Sequence, residues 1–343
     1  MLRGRFFLVL LSFGPTLSVR AEESSGALKS RLRSSGESLI YETYIESNWE
    51  IVLAGADGGK PRNLTKTPRV HELYPQSSPD GKQIAFVADE ELKGKKVRSV
   101  YVMSSNGGNR RLVARNARQP AWTYDGKTLL YLPGEFDAYT VKDFATKGLV
   151  FYDTTTGKSR PHPNPKLHHL YNPTCSRDGR WILATVHGGM GYGHAILAID
   201  AAGTGVHDLK IKGCRPTLSN DGKKICWGED DHTIVVGNFV VKDGVPRVVA
   251  KKALIREKEL HVYHSDWSAS GEFIVFSRGP GGRVSPSGPG TNRGLAEFVG
   301  VRAPWRLCIL PVSGNGPLVE VTDGECAKEA DWVVSPKSKG GRS

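Results

Sequence analysis

One phrase recurs five times along the chain: YPQSSPDGKQIAF at 74–86, QPAWTYDGKTLLY at 119–131, NPTCSRDGRWILA at 172–184, RPTLSNDGKKICW at 215–227 and HSDWSASGEFIVF at 264–276. Its turn glycines, Gly81, Gly126, Gly179, Gly222 and Gly271, are separated by 45, 53, 43 and 49 residues. That is the period of a four-stranded propeller blade. Within the phrase an Asp caps a turn through its side chain and the following Gly takes the left-handed conformation. Alternating apolar residues then follow, Ile84 and Phe86 or Leu129 and Tyr131, the period of a half-buried strand. A third strand recurs downstream, as SVYVMSSNGG or AILAIDAAG, and an outer strand leads to the next copy.

The ends supply a sixth unit. Residues 329–336 match the first half of the phrase and stop, while residues 35–41 match its second half. One blade shared between both termini closes the ring and leaves no long sheet edge open. The expected fold is therefore all-β, a six-bladed propeller over residues 35–335, preceded by a polar linker at 22–34 and followed by a basic tail at 336–343. The 40 glycines and 20 prolines, scattered between short apolar runs, agree with a turn-rich chain.

The opening residues combine Arg3 and Arg5, an apolar run from Phe6 to Phe13 and a small-x-small site at Val19-Arg20-Ala21. Together they read as a secretory signal peptide spanning 1–21. The run is too short to span a bilayer, so a soluble periplasmic or secreted protein with no membrane span is expected. Net charge is +12, and it falls to +9 without residues 1–21, which hold three arginines and no acid. The basic residues are dispersed. A protein or anionic polymer of the envelope is the expected partner, nucleic acid is not, and the chain is expected to be a monomer. Five cysteines exclude full pairing, and Cys308–Cys326 or Cys214–Cys226 are the pairs the fold would bring nearest.

The Asp-Trp-Ser, Ser-Pro-Asp-Gly-Lys and Ile-Ala-Phe phrases resemble the repeats of TolB-like, WD40-like six-bladed propellers of the bacterial envelope. The resemblance implies an exported binding propeller. Tol-system members carry an α/β domain before the propeller, for which residues 22–34 leave no room, so the stand-alone form is expected.

Enzyme signatures are sparse. There is no nucleophile elbow, Ala121 replaces the first glycine of a phosphate loop ahead of Gly126-Lys127-Thr128, and Pro75 stands where His71-Glu72 would need a second zinc-binding histidine. No catalytic residue is assigned. Histidines stand out instead. His71, His168, His169, His261 and His264 belong to loops from outer to inner strands, and His187 and His194 to a loop between second and third strands, all on one face of a propeller. They either cap loops or, with Arg215 and Arg278, line a pocket at the channel mouth that binds a divalent metal or an anion. His264 should join Tyr74, Gln119, Asn172 and Arg215 in a ring near the axis. Trp122, Trp267 and Trp332 should pack between blades, and Trp305, after an insertion at 278–303, is the candidate exposed contact. Two functions follow: a non-catalytic binding module acting through its loop face, or a metal-assisted lyase or hydrolase of anionic saccharides resembling oligogalacturonate lyase, itself a TolB-like propeller with a histidine-rich metal site.

Overall fold

Each copy of the phrase builds the two innermost strands of one blade. In a computed structural model, which describes residues 24–137, 142–280, 302, 304–323 and 326–334, six four-stranded antiparallel sheets form the blades of a propeller. Blade one holds β1 (Ser38–Ile45), β2 (Asn48–Gly55) and β3 (Arg62–Asn63); blade two, β4 (His71–Ser77), β5 (Gln83–Leu92), β6 (Lys95–Ser104) and β7 (Arg111–Arg115). Blade three holds β8 (Ala117–Trp122), β9 (Thr128–Pro133), β10 (Val150–Asp153) and β11 (Ser159–Pro161). Blade four holds β12 (Leu170–Cys175), β13 (Trp181–Gly189), β14 (Tyr192–Asp200) and β15 (Val206–Asp208). Blade five holds β16 (Cys214–Leu218), β17 (Lys224–Asp230), β18 (Thr233–Lys242) and β19 (Val245–Arg256). Blade six holds β20 (His261–Trp267), β21 (Phe273–Gly279), β22 (Arg306–Pro311) and β23 (Val319–Glu320). The last strand, β24 (Lys328–Val333), returns to blade one as its innermost strand, pairing Leu39 with Trp332 and Ile40 with Asp331. The ring is thus closed by both ends of the propeller sequence. The expected signal peptide, residues 281–301 of the insertion and the expected basic tail lie outside the described residues.

The turns between first and second strands follow one chemistry. Asp80 accepts from the Ser78 hydroxyl at 2.8 Å and the Lys82 N–H at 3.1 Å, and Asp125 and Asp221 repeat the pattern. In blade six Ser270 takes the same place, accepting from the Glu272 N–H. Gly126 and Gly81 close their turns at φ +67° and +69°. Valine at position 126 should cost about 1–3 kcal/mol through backbone strain. Alanine at 81 should cost more than alanine at 126, because its Cβ would sit 2.0 Å from the Val334 carbonyl oxygen while that at 126 meets only Pro79 at 3.6 Å. Urea midpoints of the variants measure the order, and equal values would show that the close approach at Gly81 is unimportant.

Apolar seams between neighbouring blades form the core. Trp122, Trp267 and Trp332 lie in these seams, and each indole donates to an inner-strand carbonyl of the preceding blade, at Gln76, Thr217 and Asp266 respectively. Burial of the ring supplies apolar area while the N–H stays satisfied.

Three expectations are corrected. Residues 25–34 of the expected polar linker form, with Ser35, helix α1 (Ser25–Ser35), capped by Ser24 and ended by Gly36. Its Leu28 and Leu32 are 0% exposed, one turn apart on the face that packs on the seam of blades six and one. Trp305 is 0% exposed rather than a surface contact, because Gly279 lacks the side chain that would collide with its ring. None of the five cysteines is in a disulfide. Cys308 and Cys326 lie in different seams, and Cys226 donates to the Ser265 hydroxyl instead of meeting Cys214.

Candidate ligand site in the axial channel

Every innermost strand contains a β-bulge in its pairing with the second strand, and the residue at the bulge has positive φ: Tyr74, Gln119, Asn172, Arg215, His264 and Glu329. Such a bulge turns one side chain inward and releases a backbone N–H from the ladder. Side chains take up the released donors. Glu42 accepts from the Tyr74 N–H at 2.7 Å, Gln119 from Asn172, Thr185 from Arg215 and Ser277 from Glu329. In four of the six strands a proline follows the bulge, where no N–H is needed. The ring expected from sequence therefore exists, and Glu329 is the sixth member that sequence reasoning missed. His261 and His264, expected in a loop, lie inside β20, because the inner strand begins three residues before the bulge.

The ring is a connected polar floor. Asn172 donates to the Tyr74 hydroxyl, and His264 Nε2 lies 2.7 Å from Glu329 Oε1. Burial pushes the Glu329 carboxyl up to about 8, against the pull of Lys328 and Arg215. Glu42, paired with Lys328 at 3.5 Å, rises to about 8 for the same reason. For both acids the folded state holds its proton more tightly than the unfolded chain. Their contribution to stability is therefore full below about pH 4.5 and is lost as pH rises through about 8. Thermal melts should show the midpoint falling across that window; a flat profile would show that neither acid is held protonated.

Above this floor lies a cavity of about 470 Å³. Its wall has two further levels. The second, two residues past each bulge, is Gln76, Ala121, Thr174, Thr217, Asp266 and Asp331; the third, at the turns, is Pro79, Tyr124, Arg177, Asn220, Ala269 and Val334. No residue upstream of a bulge lines it, so it opens at the Asp-Gly turn face. On the other side of the floor, Asp143 is buried against Arg98 at 2.6 Å, and Arg118 donates to the Lys142 carbonyl at 2.9 Å.

The histidines gather on the far face in separate groups. His187 and His194 are cross-strand partners with rings 5.5 Å apart, and His187 packs 4.4 Å from Phe144. His169 sits 4.9 Å from His168 and contacts Glu135 at 2.8 Å and the Gly188 carbonyl. His261 pairs with His232 and with the Tyr263 hydroxyl. His71 stands apart, accepting from the Trp49 N–H. Arg278 is turned to Glu257 at 2.8 Å and Glu320 at 3.3 Å, an ion network between blade strands rather than a channel group. Of the nine expected ligand residues only His264 and Arg215 border the cavity. Burial holds His71, His194 and His261 below the ordinary imidazole range, which disfavours the cationic form needed for an anion. Among the described residues no three His, Cys, Asp or Glu side chains are grouped to hold a metal ion.

The acids Asp266 and Asp331 were not singled out from sequence, although each directly precedes a motif tryptophan. Asp331 accepts from the Ser77 N–H at 2.5 Å and Asp266 from the Trp332 N–H at 3.3 Å, so each spans a blade seam. They also hydrogen-bond each other. Burial raises both carboxyls, and Asp331 rises the further because its neighbour is also an acid.

No protein-family model and no curated protein matches the chain. Solved structures match its fold. TolB from Acinetobacter baumannii aligns with a TM-score of 0.61 at 19% identity, covering 87% of this chain and 66% of that one. The chain thus spans just under two thirds of that TolB. A nidogen/laminin complex aligns with a TM-score of 0.59 at 10% identity over 87% of this chain and 99% of the other. Hydrazine synthase of Kuenenia stuttgartiensis aligns with a TM-score of 0.60 at 11% identity, over 95% and 50%. At these identities the shared property is the fold.

Proposed function

We propose that the protein is an exported, TolB-like propeller that binds a protein or polymer partner of the cell envelope without catalysing a reaction on it, and that the ligand enters the axial channel from the turn face. The observation that carries this reading is the cavity itself. At its second and third levels each of the six blades places one residue in the wall, which gives a mixed lining suited to recognition. The signal-like N-terminus supplies the compartment, and among the described residues no helix is long and apolar enough to cross a membrane. TolB has the same blade architecture.

The test is saturable co-sedimentation with isolated envelope fractions. Thr217→Trp, which fills the channel at its second level, should abolish saturable binding, while His187→Ala and His194→Ala should leave it intact. Binding that survives Thr217→Trp and fails with the histidine pair would move the site to the other face.

A further inference from the structure

Two histidines meet across the junction of blades five and six, on the face away from the cavity mouth. His232 sits in the two-residue turn that joins β17 to β18, and His261 opens β20. Their ring centres are 4.7 Å apart, with the planes at 83°. A zinc ion about 2.0–2.1 Å from an imidazole nitrogen lies about 3.2 Å from the centre of that ring. Two rings sharing such an ion, at angles between octahedral and tetrahedral, have centres about 4.5–5.2 Å apart. The pair falls inside that range.

One nitrogen of each ring is already engaged. His232 Nδ1 donates to the Leu260 carbonyl at 2.9 Å, and because that oxygen only accepts, the neutral ring keeps its lone pair at Nε2. His261 Nδ1 is held by the Tyr263 hydroxyl at 3.2 Å. Among the described residues no hydrogen bond uses either Nε2. A ring fixed through one nitrogen and open at the other is the arrangement of metal-binding histidines. In the pair of His187 and His194 the ring centres are 5.5 Å apart, and only His194 is anchored in this way.

The backbone holds the two residues in register. The Asp231 carbonyl accepts from the Val262 N–H at 2.9 Å, the His232 carbonyl from the Glu257 N–H at 2.8 Å, and the Asp230 carboxylate from the His232 N–H at 3.0 Å. These bonds tie the turn to the segment that leads into His261, so a ligand has little ordering left to impose. Asp231, exposed in the same turn, places a negative charge that acts on His261. A cation is therefore favoured over an anion.

We propose that His232 and His261 bind a divalent ion that prefers imidazole, zinc in the first place, through their Nε2 atoms, with water completing its coordination, and that the ion clips blade five to blade six. The site lies apart from the axial channel and does not rest on the reading of that channel.

Calorimetric titration of the untagged chain from residue 22 with zinc chloride, after treatment with a chelator, tests it beside melting curves in zinc and in magnesium. One equivalent of zinc should bind and raise the melting temperature, as a ligand of the native state does. Magnesium, which takes oxygen ligands, should do neither. His232→Ala and His261→Ala should each weaken zinc binding about tenfold or more and cancel the rise. Tyr263→Phe should weaken it about tenfold with the stoichiometry unchanged. His187→Ala and Thr217→Trp should leave it intact. His232 stands in a surface turn, so its variant stays informative should His261→Ala fail to fold. Zinc that fails to bind at millimolar concentration, or binds His232→Ala as tightly as the parent, overturns the proposal, as does binding that is lost only in His187→Ala.

Discussion

Truncation after Ala327 should abolish the cooperative unfolding transition of the propeller. The cut removes β24, whose Trp332 and Ala330 fill the seam of blades six and one and whose Val333 fills that of blades one and two. It also strips β1 of its inner partner and leaves Glu42, fully buried, without Lys328. Loss of a buried tryptophan alone costs about 3–5 kcal/mol. A whole domain has only about 5–15 kcal/mol in hand. Two opened seams and an unpaired inner edge therefore exceed what the fold can absorb. Calorimetry of the truncated protein should show a broad or absent transition, and a sharp one at the parental temperature would mean that the ring does not depend on closure.

Arg98→Met should destabilise by about 3–5 kcal/mol, the usual result of removing one partner of a buried ion pair. Arg98 is 1% exposed and holds Asp89 by two hydrogen bonds, at 2.7 and 2.9 Å, and Asp143 by a third at 2.6 Å. Methionine matches the length of the aliphatic stem but leaves two carboxylates without their cation. Adding Asp143→Asn to Arg98→Met should recover part of the loss, since one stranded charge is gone. Urea midpoints of the two variants provide the measurement. An Arg98→Met protein as stable as the parent would show that the segment carrying Asp143 is not held by this contact.

The blades were legible in sequence because turn chemistry is local. Ser-x-Asp-Gly satisfies its own hydrogen bonds within a few residues, so Asp125 and Gly126 announce the turn whatever packs around them. The channel was half legible. Counting back from the turn placed His264 with Tyr74, Gln119, Asn172 and Arg215, and the match of residues 329–336 to the first half of the phrase puts Glu329 at the same position, although it was not singled out. The x-Pro step at Tyr74-Pro75, Gln119-Pro120, Asn172-Pro173 and Arg215-Pro216 was the available sign of a bulge. The histidines drew attention by their number, yet number says nothing about depth. Which side of the floor a cavity occupies depends on how Arg98 and Asp143 meet across 45 residues of chain, and no local pattern encodes that. Trp305 misled for a similar reason, since its burial depends on the absence of a side chain at Gly279.

The six bulges also set a rule for how such a channel can change. Each holds its residue in the left-handed region, where a branched Cβ is a genuine steric outlier. The six occupants are Tyr, Gln, Asn, Arg, His and Glu, and none is Val, Ile or Thr. Recognition here is therefore spelled in a restricted alphabet. A blade can exchange an amide for an acid or an imidazole without disturbing its neighbours' backbones, but a β-branched letter would be refused by the main chain before the ligand could judge it.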